Sequence, residues 1–211
     1  MGHELPTYEF EKARRAEGYA RIAGVDEAGR GPLAGPVVSA AVVLDPASIP
    51  AGLADSKKLT ARRREALFDE IRTACTVGVG IATVAEIDSL NILRAAHLSM
   101  CRAIADAGGA AFCLIDGNLV PEDCPAPAEA VVKGDARCLS IAAASIIAKV
   151  TRDRIMVGLA QQYPGYGWEK NAGYPTKAHV AALEDLGVTP EHRRSFAPVH
   201  NILCREKSVS P

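Results

Sequence analysis

The densest chemistry in the chain lies at Asp26-Glu27-Ala28-Gly29-Arg30-Gly31. There an apolar run (Ile22, Ala23, Val25) passes straight into two adjacent carboxylates and then a glycine-flanked arginine. Two more acids end apolar runs in the same way: Asp116, in Ile115-Asp116-Gly117-Asn118, and Asp135, in Lys133-Gly134-Asp135 after the run 130–132. Carboxylates at the ends of buried runs are costly unless a cation gathers them. A donor set of oxygens alone suits the hard divalent cations Mg²⁺ or Mn²⁺, and Mg²⁺ keeps waters and meets phosphates. Two such ions can activate a water and stabilise the leaving oxygen in phosphodiester cleavage. For Asp26-Glu27 taken alone, a polar strand end leading into a turn is an equal alternative. A geometric condition also applies. Successive strand side chains point to opposite faces, so both acids reach one metal only if the strand bulges or ends there. Gly24 and Gly29 permit such an end.

The elements that must position these acids follow from the hydrophobic pattern. Residues 1–20 are charged and weakly periodic, and read as an arm or short helix; 21–27 and 37–44 read as the first two strands of a sheet. Asp55-Ser56-Lys57-Lys58-Leu59 precedes a helix over 60–73 with Thr60 as N-cap. Arg62, Arg63 and Arg64 sit in its first turn, where with Lys57 and Lys58 they make either a solvated basic face or a contact to a nucleic-acid backbone. A third strand over 77–84, a helical region over 86–107, strands over 110–115 and 130–132, and a long small-residue helix over 140–162 complete the series. That order implies an α/β fold whose mixed sheet begins as an antiparallel meander and continues with parallel strands joined through helices. A last helix over 176–186 stops at Gly187. Residues 21–205 read as one domain and 206–211 as a short tail.

Composition narrows the function. With 211 residues there is ample material for one core. The formal net charge of −1 neither demands nor forbids a nucleic-acid partner. No Gly-x-x-x-x-Gly-Lys-Ser/Thr loop is present, which argues against ATP hydrolysis. The six cysteines are scattered without a Cys-x-x-Cys pair, which argues against zinc and fits a reducing compartment. No apolar stretch is long enough to cross a bilayer, and the first residues have no signal core, so a cytoplasmic protein with no membrane partner is expected. Nothing demands more than a monomer.

Taken together and in order, several motifs resemble ribonuclease HII, the type 2 ribonuclease H family. They are Asp26-Glu27-Ala28-Gly29-Arg30-Gly31-Pro32-Leu33-Ala34-Gly35-Pro36, Asp55-Ser56-Lys57-Lys58-Leu59, Ile115-Asp116-Gly117-Asn118, and Lys133-Gly134-Asp135 with the helix that follows. Gly173-Tyr174-Pro175-Thr176 with His179, and Arg193-Arg194-Ser195-Phe196, match as well. The resemblance implies a ribonuclease H-like fold, a five-stranded mixed sheet flanked by helices. It implies an enzyme that cuts the RNA strand of RNA/DNA hybrids and incises duplex DNA 5′ of an embedded ribonucleotide. The products would carry 3′-hydroxyl and 5′-phosphate ends.

By the same resemblance, Asp26, Glu27, Asp116 and Asp135 bind two divalent ions, Mg²⁺ or Mn²⁺. Gly29, Arg30 and Gly31 read the ribose 2′-hydroxyl and adjacent phosphate, and Tyr174 packs on the junction sugar. The 2′-hydroxyl is what separates RNA from DNA at one nucleotide. Lys57 and Lys58 are candidate phosphate contacts, as is Lys149. The chain departs from the family pattern at Asn171-Ala172, where many members carry His-Lys, which puts one substrate contact in doubt. The alternative function is a non-catalytic hybrid-binding module, which predicts loss of an acid, yet all four positions are filled. His179 is as open to bracing the tyrosine loop as to meeting substrate. Arg193 and Arg194 are as open to a structural salt bridge as to nucleic acid. His97, His192 and His200 read as packing or surface residues.

Overall fold

The structure, a computed structural model, describes residues 5–209. Its elements in chain order are α1 (Glu9–Ala16), β1 (Ile22–Ala28), β2 (Val37–Val43), α2 (Ala61–Ala74), β3 (Thr76–Ala82), α3 (Val84–Leu90), α4 (Ile92–Asp106), β4 (Phe112–Asp116), β5 (Ala128–Val131), α5 (Leu139–Gln162), α6 (Trp168–Asn171), α7 (Lys177–Leu186) and α8 (Ala197–Val209). The expected arm over 1–20 contains α1, and the backbone of α8 runs through the expected tail as far as Val209; residues 1–4, 210 and 211 lie outside the described residues. Among the described residues no helix is long and apolar enough to cross a membrane.

Five strands form one sheet in the order β3-β2-β1-β4-β5, the mixed architecture that the order of the runs implied. β1 pairs antiparallel with β2 and β2 with β3, while β1–β4 and β4–β5 are parallel. Parallel neighbours end at the same edge. The register sets Val25 beside Ile115, so Asp26 and Asp116 emerge next to each other. The turn after β5 then delivers Asp135 to that edge.

α5 covers one face of the sheet and α4 the other. Ala40, Val42, Ala143 and Ile147 belong to one buried cluster, and Ala23, Val25, Met100 and Ala103 to another. α5 comes so close at Gly24 that a Cβ there would lie 2.2 Å from the Ser140 carbonyl carbon, which only glycine allows. The region expected as one helix over 86–107 is two. Asn91 has φ +73° and breaks the run, and its Oδ1 accepts from the amides of Leu93 and Arg94, so it caps α4.

Candidate active site

Asp26, Asp116 and Asp135 converge, each offering a carboxylate oxygen within 4.8 Å of the other two. Asp26 is 6% exposed and Asp135 8%. Burial, then the charges of Glu27 and Asp116, push the Asp26 carboxyl well above the ordinary carboxylate range. Burial and Asp116 also raise Asp135. Asp116 is tied to the turn that carries Asp135, since its Oδ1 accepts from the amide of Gly134 at 2.7 Å. Lys133, at the start of that turn, is held left-handed at φ +55°, a conformation uncommon for a residue with a side chain.

Glu27 stands outside this trio. The β1–β2 register runs without a bulge through Asp26↔Ala40, Glu27↔Ser39 and Ala28↔Val38. The two acids therefore point to opposite faces, Asp26 toward α5 and Glu27 toward α4. Glu27 instead receives a hydrogen bond from Arg30 Nη1 at 3.2 Å. Burial still lifts its carboxyl against the pull of Arg30, and Asp116 adds to the rise. The irregular strand end that would bring both acids onto one metal is absent.

On the α5 side Asp26 and the edge of Glu27 open into a cleft of about 320 Å³, lined also by Gly29, Arg30, Gly31, Lys57, Lys149 and Tyr174. Tyr174 is 43% exposed and adjoins Gly31, where a Cβ would stand 3.5 Å from its ring. Lys57 Nζ lies 3.8 Å from Asp135 Oδ2. Burial pulls the Lys57 ammonium down, but Asp135 and Asp26 hold it above its ordinary value. Its turn is pinned by Asp55, which accepts from the Lys57 amide, and by Ser56 Oγ, 2.8 Å from Ser145 Oγ on α5. Lys58, in the same turn, does not line the cleft. Lys149 pairs with Asp153 at 2.8 Å.

Two buried arginines shape the Gly-Arg-Gly loop, and the sequence did not single out either for that work. Arg193 donates to the carbonyls of Gly29, Arg30, Gly35 and Pro36. Arg152, from α5, donates to those of Ala34, Pro36 and Ala172. Gly29 has φ +101°, and a Cβ there would lie 2.0 Å from Arg152 Nε. Arg193 is thus fully buried on carbonyls, and among the described residues it makes no salt bridge. Arg64 likewise spends its guanidinium on the carbonyls of Ser56 and Leu59, and Arg63 on Ala51 and Glu70. Of the basic first turn of α2, Arg64 thus braces the lysine loop.

The tyrosine loop has its own support. His179 is fully buried; its Nδ1 donates to the Tyr174 carbonyl at 2.9 Å, and its Nε2 accepts from Trp168 Nε1 at 2.9 Å. His192 lies behind it, Nε2 to Nε2 at 3.2 Å, with its Nδ1 accepting from the Thr189 amide. The pattern fits two neutral imidazoles, and burial with the neighbouring His179 takes His192 down to about 4. Asn171 closes the loop by accepting from the Gly173 amide and donating to the Tyr166 carbonyl.

Comparison with known proteins identifies the family. The family model for ribonuclease HII matches residues 23–199. The ribonuclease HII of Paracoccus denitrificans is 64% identical over 206 residues, 97% of this chain and 98% of that protein. The ribonuclease HII of Ruegeria pomeroyi is 64% identical over 97% of this chain and 88% of its own length. Among solved structures, the ribonuclease H2 of Pyrococcus horikoshii superposes with a TM-score of 0.75 at 31% identity, covering 89% of this chain and 99% of that one. On a match of this extent the chain belongs to the ribonuclease HII family, and is thereby an endoribonuclease of the ribonuclease H type that acts on RNA/DNA hybrids.

Proposed function

We propose that the chain cuts the RNA strand of hybrids and incises duplex DNA on the 5′ side of an embedded ribonucleotide, by two-metal hydrolysis that leaves 3′-hydroxyl and 5′-phosphate ends. One observation carries this reading: Asp26, whose carboxylate converges with those of Asp116 and Asp135, lines the same cleft as Gly29-Arg30-Gly31 and Tyr174.

The residues fit a divalent cation. The donors are all oxygens, three carboxylates crowd within 4.8 Å, and the charge facing them in the cleft is chiefly Lys57. Asp26, Asp116 and Asp135 would hold the ions, with Glu27 contributing from the α4 face. Mg²⁺ or Mn²⁺ bound there supplies an activated water and neutralises charge on the leaving oxygen. The protein residues orient the substrate. Tyr174 packs on the sugar of the ribonucleotide. The adjoining Gly31 leaves the loop free to approach that sugar, where the 2′-hydroxyl distinguishes RNA from DNA. Arg30, tethered to Glu27, and Lys57, beside Asp135, meet the phosphates as cations.

The test is labelled duplex DNA bearing one ribonucleotide, incubated with Mg²⁺, with Mn²⁺ and with chelator. Metal-dependent incision 5′ of the ribonucleotide is expected. Cleavage of long hybrids alone would remove the junction-reading role of Gly29-Arg30-Gly31 and Tyr174. Tight binding without cleavage would make the chain a hybrid-binding module.

A further inference from the structure

The acids open onto a second cleft, on the opposite face of β1. It begins at Glu27, Arg30 and Asp116 and passes His97 and Asn118. Over Leu93, His97 and Leu119 it continues into a groove of about 570 Å³ between α4 and the segment 119–123. His97 projects into both spaces from the middle of α4. It is half-buried, and among the described residues no hydrogen bond engages its ring. The contrast with His179 and His192 is sharp, since every ring nitrogen of that pair is engaged. The side chain of Asn118, exposed at the rim, is equally unengaged among the described residues.

We propose that this cleft is a nucleoside subsite in which His97 and Asn118 contact the base of the deoxynucleotide on the 5′ side of the scissile phosphate, the one whose 3′ oxygen is released. This rests on the function proposed above. A phosphodiester seated on Asp26 and Asp116 carries a sugar on each side. With the ribose held at Tyr174, the strand leaves the acids past Glu27 and Arg30, onto the α4 face. The chemistry there suits a base more than a second phosphate. The walls are largely leucine, two neutral polar groups, an imidazole and a carboxamide, face the space, and the carboxylates of Glu27, Asp116, Glu122 and Asp123 outnumber Arg30 and Arg94 and repel another anion. Either neutral group can donate to or accept from a base edge.

The experiment pairs protein and substrate changes. Incision rates are measured for the wild type, His97→Ala and His97→Gln, on two duplexes with one ribonucleotide. In one the 5′ flanking nucleotide is intact; in the other it is abasic. A lost hydrogen bond and its packing correspond to a rate decrease of about fivefold to tenfold. The wild type is expected to slow by that factor on the abasic duplex. His97→Ala is expected to slow by it on the intact duplex and to show no further loss on the abasic one, with His97→Gln recovering part. Equal loss by His97→Ala on both duplexes, or no loss on the intact one, overturns the subsite while wild-type incision still supports the underlying reading. Absence of wild-type incision at the ribonucleotide overturns both.

Discussion

At the carboxyl ends of β1 and β4, three buried or half-buried carboxylates crowd together with a single lysine facing them. One loop away, Arg152 and Arg193 are buried with no carboxylate on either guanidinium among the described residues. Burial lowers Arg152 to about 10, and burial with Arg152 nearby lowers Arg193 to about 9, so both stay charged at neutral pH. The arginines are surrounded by carbonyl oxygens that satisfy their donors, and a satisfied buried charge is rigid. The acids have only backbone amides, those of Glu27 on Asp26 and of Gly134 on Asp116, against one another's charge. Their repulsion is left in the fold, and a cation relieves it. The arginines build the walls of the cleft; the acids leave unbalanced negative charge in it.

The sharpest break in this comparison is at Asp26. Asp26→Asn is expected to lower incision by about a thousandfold or more at matched metal, while the melting temperature without metal holds or rises because a repelling charge is gone. Added Mg²⁺ is expected to raise the melting temperature of the wild type and to do so less in the variant. A variant that cuts comparably to the wild type removes the site. The converse holds at the arginines. Arg193→Met takes this donor from the carbonyls of Gly29, Arg30 and Gly35, Pro36 keeping that of Arg152, and is expected to lose about 3 kcal/mol of stability in a urea titration. A loss near zero would mean the loop holds itself.

A third arrangement of buried polar groups is the neutral pair His179–His192, and pH separates it from the acids. His192 falls to about 4 in the native state from an unfolded value near 6.5, so the unfolded chain binds the extra proton. Its contribution is complete above about pH 6.5 and is lost as pH falls toward 4. Between pH 7 and 5 that loss amounts to about 2 kcal/mol. Asp26 and Asp135, raised in the native state, act in the opposite sense, since their protonation on acidification relieves repulsion. Urea midpoints of the metal-free protein at the two pH values measure the sum. In Asp26→Asn the acid side is weakened, so the pH 5 loss is expected to deepen; a shallower loss reverses the assignment. The smallest effects are expected at Arg30→Ala and Tyr174→Ala, roughly tenfold each, and larger on a single ribonucleotide than on a long hybrid. Equal loss on both substrates argues against junction reading.

Much of the fold was legible because it is local. Acids after apolar runs, the small-residue run that becomes α5, Thr60 as a helix start and Gly187 as a helix stop are statements about neighbouring residues, and the mixed sheet, a meander followed by parallel strands, follows from the order of elements. The break at Asn91 was not legible, since an asparagine within an apolar periodic stretch fits a helix until its positive φ is seen. Nor was the work of Arg152 and Arg193. They lie 122 and 163 residues beyond Arg30, and a carbonyl has no sequence signature, so no motif marks the oxygens they bind.

By itself the sequence determined which groups are present: four acids, a glycine-flanked arginine, a tyrosine loop and the hydrophobic periods that make the elements. The tertiary structure decided how they are shared out. Strand alternation without a bulge sends Asp26 and Glu27 to opposite faces of β1, so the acids look onto two clefts. It is the parallel register of β1 and β4 that sets Asp116 beside Asp26, and long-range arginine–carbonyl bonds hold the loop across from them. Composition and local pattern can place a carboxylate at a strand end, but only the pairing of strands far apart in the chain fixes which carboxylate it meets.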